Sequence, residues 1–296
     1  MKKKRLLSIL TITALFAACS NENVIEQIDE KECLNSARVT VDEFVFDNTT
    51  RAAISNTLAF TWTKSKDIIG VWPTLEAGEE EIASQVQFKA GNGGKATAVF
   101  SGTGWGLMPN RKYYAYYPYK GSAKANNVSG SYAVSSTQSS NNSTSHLPSN
   151  IILYTSATAP AAKDTAQFQF HHLGSIIKME IAVPDDSKSN VFKQVTLSTA
   201  EPTFTKAYSF NPCAEEPSIT AESKVDALTL TLGSNGAGFA PVNGKLSVWF
   251  LIGALDLTGV DIKVEVLDSG NKSYSATVGG VVQDGGKAHL YEVSVN

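Results

Sequence analysis

The chain has 296 residues, a formal net charge of -3 and only 18% charged residues. At about 150 residues per domain, this length allows two domains with full hydrophobic cores. No basic cluster occurs after the N-terminus, so a nucleic-acid-binding surface, which requires clustered cations, is excluded. The low charge and the abundance of Ser, Thr, Asn and Gly are typical of an exported protein rich in β-strands.

The N-terminus has the pattern of a lipoprotein export signal. Residues 1–5 are cationic, residues 6–18 are apolar but shorter than the ~20 residues that span a bilayer, and small residues precede Cys19. We expect removal of residues 1–18 and lipidation of Cys19, whose acyl chains would hold the protein in the outer membrane. The alternative is an ordinary secretory signal followed by a coincidental cysteine.

The remaining side chains indicate neither an enzyme nor a cofactor or metal site. His171 and His172 are neighbours in a predicted strand, so they point to opposite faces and do not easily share a metal. The glycine-rich stretch 91–96 has neither the spacing nor the strand-to-helix context of a phosphate loop. Cys33 and Cys213 match no zinc pattern, and the sequence leaves open whether they pair.

Residues 37–72 contain two predicted strand segments separated by a polar linker. Apolar and polar residues alternate in 37–46, and a second apolar run begins at Leu58. The linker between them is made of small and polar residues around one arginine, Arg51, and a protease reaches such backbone easily. Cleavage between Arg51 and Ala52 would remove the first strand and leave a groove in a β-sandwich. The alternative is an ordinary inter-strand loop.

Strand patterns then recur at short intervals, separated by Gly, Asn, Ser and Pro. The polar segment 121–150 predicts a long exposed loop with one short strand at 132–134. Regular strand spacing without a visible long helix is typical of β-sandwiches. The predicted strands are 67–72, 84–88, 96–100, 113–119, 151–154, 165–183, 191–197, 204–210, 227–232, 246–251, 260–267, 273–278 and a closing strand that ends at Val295.

Aromatic and hydroxyl side chains supply two further candidate sites. Trp105, Tyr114 and Tyr116 are candidate faces for stacking on a sugar, although packing in the core is the commoner role of such residues. Asp164-Thr165-Ala166 fits a short pattern of bacterial O-glycosylation, which makes Thr165 a candidate modification site.

Several motifs occur in a characteristic order. They are Thr50-Arg51-Ala52, Phe60-Thr61-Trp62 ahead of Asp67-Ile68-Ile69-Gly70-Val71, Tyr113-Tyr114-Ala115-Tyr116-Tyr117-Pro118, Phe168-Gln169-Phe170-His171-His172-Leu173, and Gly286-Lys287 followed by Tyr291-Glu292-Val293. Together with Cys19, they resemble the fimbrillin (Mfa-like, type V pilin) lipoproteins of Bacteroidales. The resemblance covers most of the chain.

The resemblance implies an all-β protein with two transthyretin-like β-sandwich domains in tandem. These would be 52–165 and 166–296, after a signal peptide (1–18) and a lipidated tether with a removable first strand (19–51). It also implies that an arginine-specific surface protease cuts after Arg51, and that a strand from another pilin subunit replaces the removed one. The removable strand would contribute Val39, Val41, Phe44 and Phe46, and burying each such side chain stabilises by about 1.5–3 kcal/mol.

The expected function is therefore a structural, tip or accessory subunit of a fimbria at the cell surface that supports adhesion to a host or bacterial ligand. The sequence ends soon after Val293, which favours a tip or accessory subunit that only accepts a strand. Alternatively, residues 281–295 supply a strand to the next subunit. The rival hypothesis is a non-polymerising surface lipoprotein that binds glycans through its exposed aromatic residues.

Overall fold

The computed structural model describes residues 34–46, 58, 60–74, 85–102, 107–108, 110–124, 126–158 and 165–296. These residues form 21 strands and three 3-10 turns, Leu147–Asn150, Asp185–Ser187 and Ser234–Gly236. The prediction of an all-β protein is confirmed. Within the described ranges, no helical segment has the length and apolarity needed to cross a bilayer.

The strands follow one another along the whole described chain. Those up to the centre of the sequence are β1 (Ser36–Val41), β2 (Val45–Phe46), β3 (Ile68–Pro73), β4 (Val86–Ala90), β5 (Thr97–Gly102), β6 (Tyr113–Tyr117), β7 (Val128–Ser131), β8 (Ser135–Gln138), β9 (Leu153–Thr158), β10 (Ala166–His172) and β11 (Gly174–Ala182). The others are β12 (Phe192–Ser198), β13 (Phe204–Phe210), β14 (Thr220–Val225), β15 (Ala227–Leu232), β16 (Lys245–Gly253), β17 (Leu255–Asp256), β18 (Asp261–Asp268), β19 (Ser273–Gly279), β20 (Val282–Gln283) and β21 (Lys287–Ser294).

Seven strands form one closed sheet in the order β1-β10-β9-β6-β3-β4-β5, and β5 pairs back to β1. Apolar residues alternate along these strands, as in β4, where Val86, Phe88 and Ala90 are buried. The side chains on one face therefore collect in a single core. Large aromatic residues dominate it, among them Trp62, Trp72, Phe88, Phe100, Phe168 and Phe170, all nearly inaccessible to solvent.

A second core lies between two further sheets. One is four-stranded in the order β16-β11-β21-β2, and the other is five-stranded in the order β19-β18-β12-β15-β8. The four-stranded sheet contributes to both cores, since Val248 and Phe250 of β16 belong to the second core while Trp249 and Leu251 belong to the first. Two small sheets complete the described fold, β14-β13-β7 and β17-β20.

β11 is buried at almost every position because both of its faces are covered. Its polar residues are paired there. Lys178 Nζ lies 2.7 Å from Glu180 Oε1 and over the Trp249 ring, and Ser247 Oγ donates to Glu180 Oε2 at 2.8 Å. Removing one partner of such a pair would leave a buried charge without compensation, so the two residues act as a unit.

Most predicted strands are confirmed, but the predicted loop at 121–150 is wrong. β7 pairs with β13, and β8 pairs with β15, whereas residues 132–134 connect β7 to β8 and are not the predicted strand. β7 and β8 carry Ser, Thr and Gly where an apolar alternation would be expected. Their pairing comes from backbone hydrogen bonds, which an apolar pattern does not reveal.

The division into two tandem domains of transthyretin-like character stays a prediction. β7 and β8, from the predicted first domain, pair with strands of the predicted second domain. β10, from the predicted second domain, is a member of the closed sheet. The predicted boundary between residues 165 and 166 therefore lies at the start of a strand that the closed sheet shares.

Candidate functional site

The first described strand is an internal member of the closed sheet. β1 runs parallel to β10, with Val39 opposite Phe168, and antiparallel to β5, with Val39 opposite Ala98. Both of its backbone edges therefore take part in ladders, unlike those of an edge strand. We call the space between β5 and β10 that β1 fills the β1 slot.

The side chains of β1 alternate between the core and the outside of the sheet. Ala37, Val39 and Val41 are at most 3% exposed, whereas Arg38 is exposed and Thr40 is half-buried. The structure thus places the predicted removable residues Val39 and Val41 in the first core. Their burial contributes about 1.5–3 kcal/mol for each large apolar side chain, so an empty slot would be costly.

Trp62 connects the two strands that border the β1 slot. Its ring meets Phe100 of β5 edge-on at 4.9 Å between centroids and Phe170 of β10 at 6.2 Å. Its indole N–H donates to the Ala96 carbonyl at 2.9 Å, and Phe60 packs against it at 4.7 Å. The Phe60-Thr61-Trp62 motif therefore supplies a rigid aromatic base for the slot.

Three side chains of β10 hold the residue that follows β1. Gln169 Nε2 donates to one carboxylate oxygen of Asp42, and His171 Nδ1 lies 2.6 Å from the other. His172 Nε2 donates to the backbone carbonyl of Asp42 at 2.8 Å, and the Asp42 N–H donates to the Phe170 carbonyl at 3.0 Å. We call Gln169, His171 and His172 the β10 clip.

The two histidines of the clip point to opposite faces of the strand, as the period-two rule predicts. His171 is half-exposed and packs beside Tyr154, whereas His172 is buried and stacks on Phe44 with 3.8 Å between ring centroids. Burial lowers the pKa of His172 to about 4. The ring is therefore neutral near pH 7, with its proton on the Nε2 that donates to Asp42.

After the clip, the chain crosses to the four-stranded sheet. β2 runs parallel to β21, and the Val45 N–H donates to the Gly286 carbonyl at 2.9 Å. Gly286 has a φ of +74°, a conformation that glycine adopts without strain. Phe46 lies at the edge of Trp249, 6.2 Å between centroids.

An open cleft of about 460 Å³ remains where the chain crosses between the two sheets. It is lined by Asp42, Glu43, Val45, Tyr154, His171, His172 and residues 285–287.

Several predicted site residues lie outside the described residues. These are Cys19, Arg51, Ala52 and Trp105, together with Cys33. Lipidation and cleavage therefore stay predictions, and whether Cys33 pairs with Cys213 stays open. Thr165 is half-buried directly before β10, and its backbone carbonyl accepts from Gln167 Nε2 at 3.0 Å. O-glycosylation of its hydroxyl stays a prediction as well.

The predicted sugar-binding role of Tyr116 does not fit its position. Its ring is fully buried and stacks on Trp72 at 5.1 Å between centroids. Its hydroxyl donates to Gln85 Oε1 at 2.7 Å and accepts from the Lys120 N–H at 2.8 Å, while burial raises its pKa to about 12. Neither face is free for a ligand, so of the described candidates only the half-buried Tyr114 keeps an accessible surface.

Sequence reasoning missed the role of Asp42 and Gln169. Asp42 carries a usable signal, because it directly follows an alternating strand and ends it with a carboxylate. The histidine pair was noted as part of a motif, but its partner lies 129 positions away along the chain, and local patterns do not show such contacts. No cluster of three or more potential metal ligands occurs within the described ranges.

The solved structures that share this fold include two from Bacteroides species. A candidate cell adhesion protein from Bacteroides ovatus ATCC 8483 matches with a TM-score of 0.59 and 16% identity, over 88% of this chain and 91% of that chain. Another, from Bacteroides uniformis ATCC 8492, matches with a TM-score of 0.55 and 13% identity, over 91% of this chain and 94% of that chain. At these identities the likeness shows the fold alone, and no curated protein sequence matches significantly.

A family model described as fimbrillin-like matches residues 50–296. The chain therefore belongs to the fimbrillin-like family, as the motifs predicted. This membership makes it a pilus- or adhesion-related subunit of the cell surface.

Proposed function

We propose that the protein is a pilus subunit whose first strand occupies the β1 slot only until assembly. In this proposal, acylated Cys19 holds the precursor at the outer membrane, and a surface protease cuts after Arg51. A strand from another subunit then replaces β1. The observation that carries the proposal is that β1, an internal strand of the closed sheet, leads through β2 directly into the linker that contains Arg51.

The energetics of the slot favour replacement over loss. Without β1, the ladder edges of β5 and β10 would lose their backbone partners, and the core around Phe100 and Phe170 would be open to water. Both effects are costly. An incoming extended strand restores the main-chain hydrogen bonds and places its alternate side chains in the vacated positions. The exchanged state would therefore be long-lived.

The position of β21 favours an acceptor role for this subunit. Residues 281–295 are the alternative donor, but β21 lies between β11 and β2 in the four-stranded sheet. It pairs with β11 over residues 288–294, and Tyr291 and Val293 belong to the second core. Releasing β21 would break this ladder and open that core. We infer that the donor strand comes from a different subunit and not from residues 281–295 of a second copy of this chain.

An arginine replacement tests the proposal. We expect Arg51→Ala to leave a full-length, lipidated precursor at the cell surface and to abolish SDS-resistant ladders of high molecular weight. Arg38→Ala is the matched control, because Arg38 is an exposed arginine within the β1 ladder and should not affect maturation. The readouts are immunoblots of surface fractions and the N-terminal residue of the mature protein.

The two possible N-termini separate the alternatives. Ala52 as the first residue of the wild-type surface protein supports cleavage after Arg51. Cys19 as the first residue of the assembled protein, or ladders from Arg51→Ala equal to those of wild type, would contradict the proposal.

A further inference from the structure

We propose that the β10 clip selects the incoming strand by its sequence and fixes its register. The ligand is an extended peptide with a carboxylate directly after its last buried ladder residue, at the place of Asp42, and an aromatic ring two positions later, at the place of Phe44. This inference rests on the proposed strand replacement and names the chemistry of the partner's strand.

The ladder of the β1 slot cannot by itself fix a register. Its ladder hydrogen bonds join backbone atoms, and the Thr40 and Thr97 hydroxyls add one side-chain hydrogen bond on the outer face. The three buried positions of β1 hold small or β-branched side chains, which many strands contain. A strand that slips by two residues keeps its apolar face towards the core, because the side-chain period is two. A second, sequence-dependent contact is therefore needed at one end of the slot.

The clip provides that contact through both oxygens of the Asp42 carboxylate. Gln169 Nε2 and His171 Nδ1 approach from the same side of β10, since the two residues are separated by one position in the strand. The Tyr154 ring packs against His171 and limits its orientations. A two-residue slip would carry the carboxylate away from both donors, so only one register satisfies the clip.

The aromatic ring at position 44 is recognised by His172, on the face of β10 opposite His171. Phe44 is 7% exposed, and its ring lies nearly parallel to that of His172, at an interplanar angle of 28°. His172 also donates to the Asp42 carbonyl, so a single side chain holds both the backbone at the turn and the ring that follows it. A small residue at this position would leave the imidazole face uncovered.

Peptide competition on a cut, full-length chain tests this inference without depending on natural cleavage. A site for a sequence-specific protease placed within residues 47–57 separates the first segment on demand. A labelled synthetic peptide of residues 34–46 is then allowed to exchange into the slot, and unlabelled variants compete with it. The variants are Asp42→Ala, Phe44→Ala and, as the matched control, Arg38→Ala, whose side chain is exposed.

We expect Asp42→Ala and Phe44→Ala each to weaken competition by about tenfold, as loss of charge-assisted or stacked contacts does. Arg38→Ala should stay within about twofold of wild type, since exposed charges contribute little. Gln169→Ala combined with His171→Ala in the full-length chain removes both donors to the Asp42 carboxylate. This double variant should then remove the difference between the wild-type and Asp42→Ala peptides, which a purely structural role of these two residues would not do.

The outcomes distinguish the inference from the function on which it rests. If all four peptides enter equally well, the clip does not select the strand, although strand replacement stands. If discrimination at position 42 persists in the variant that carries both Gln169→Ala and His171→Ala, the assignment of the clip is overturned. If no peptide enters the slot, including the wild-type one, both the inference and the proposed strand replacement are contradicted.

Discussion

At Asp42 the chain leaves the closed sheet and continues towards the four-stranded sheet. It belongs to no strand, yet its backbone N–H, its carbonyl and both carboxylate oxygens all have partners on β10. These contacts bind the chain to β10 at the residue that directly follows the β1 ladder. Polar groups of Asp42 without hydrogen-bond partners would destabilise the chain at this point. The clip supplies the partners that ladder hydrogen bonds supply within β1.

The glycine of the Asp67-Ile68-Ile69-Gly70-Val71 motif has a steric role. A Cβ on Gly70 would overlap the ring of Tyr116, which lies in the neighbouring strand β6. Asp67 fixes the start of the same strand, because it accepts from the Thr63 N–H at 2.6 Å and from the Tyr117 hydroxyl at 3.0 Å. The motif thus positions the aromatic face of β6 in the closed sheet.

His172 makes retention of the first segment depend on pH. Burial lowers its pKa to about 4, against 6.5 for an unperturbed imidazole, although the contacts with Asp42 act to raise it. An emptied slot exposes the ring, so the released state binds more protons between these values. Retention is therefore strongest above pH 6.5 and is lost as the pH falls towards 4. One pKa unit corresponds to about 1.4 kcal/mol, so the full return of the pKa from about 4 to 6.5 would weaken retention by at most about 3 kcal/mol.

The measurement is the fraction of the cut first segment that stays bound between pH 7 and pH 4.5. His172→Gln is the comparison, because its amide can still donate to the Asp42 carbonyl but does not titrate in this range. The other charged groups at the crossing, Asp42, Glu43, His171 and Lys287, remain in both proteins. Identical pH profiles for the two proteins would contradict the role assigned to His172.

At the scale of elements, β1 should contribute to stability mainly through its inward face. Val39→Ala removes buried methyl groups at a site with no exposure and should lower the free energy of unfolding by about 2 kcal/mol. Val99→Ala on the adjacent β5 is the matched control, because Val99 is 42% exposed and should change stability by less than about 0.5 kcal/mol. Urea unfolding of the full chain, followed by tryptophan fluorescence, compares the two. Equal losses would mean that β1 is not packed as an internal strand.

Strands with a clear apolar alternation could be predicted from the sequence. β4 and β5 form the expected hairpin, and β13 and β15 have the predicted bounds. β14 could not be predicted, because its residues are mostly polar and exposed and it pairs with β13 through backbone hydrogen bonds and a hydrogen bond from Ser209 to Glu222. β7 and β8 could not be predicted for the same reason, because their residues are also mostly polar.

The candidate site could be predicted only in part. The alternation of 37–46 identified Val39 and Val41, which β1 buries, since that information is local. The prediction of one strand through Phe46 is wrong, because β1 ends at Val41 and Val45–Phe46 pairs with β21 in another sheet. The place of β1 between β5 and β10 could not be predicted, because its parallel partner lies more than a hundred residues away. A pairing of this kind depends on the closure of the whole sheet, and the sequence of either strand alone does not record it.

At the scale of the whole molecule, one short segment connects two sheets. β1 belongs to the closed sheet and β2 to the four-stranded sheet, with the β10 clip between them. Removal of this segment would therefore uncover β5 and β10 in one sheet and the start of β21 in the other. A replacing strand that reaches past the clip would couple the two sheets again.

A covalent lock on β1 tests the central claim that this strand must leave for assembly. Thr40 and Thr97 face each other in the β1–β5 ladder, with their Oγ1 atoms 3.1 Å apart, so cysteines at both positions can form a disulfide. The measurement is the yield of SDS-resistant ladders from cells that carry Thr40→Cys with Thr97→Cys, with and without reductant, beside each single variant. We expect the oxidised double variant to keep its first segment and form no ladders, and reduction to restore them. Ladders of wild-type yield from fully oxidised, cross-linked protein would contradict the account.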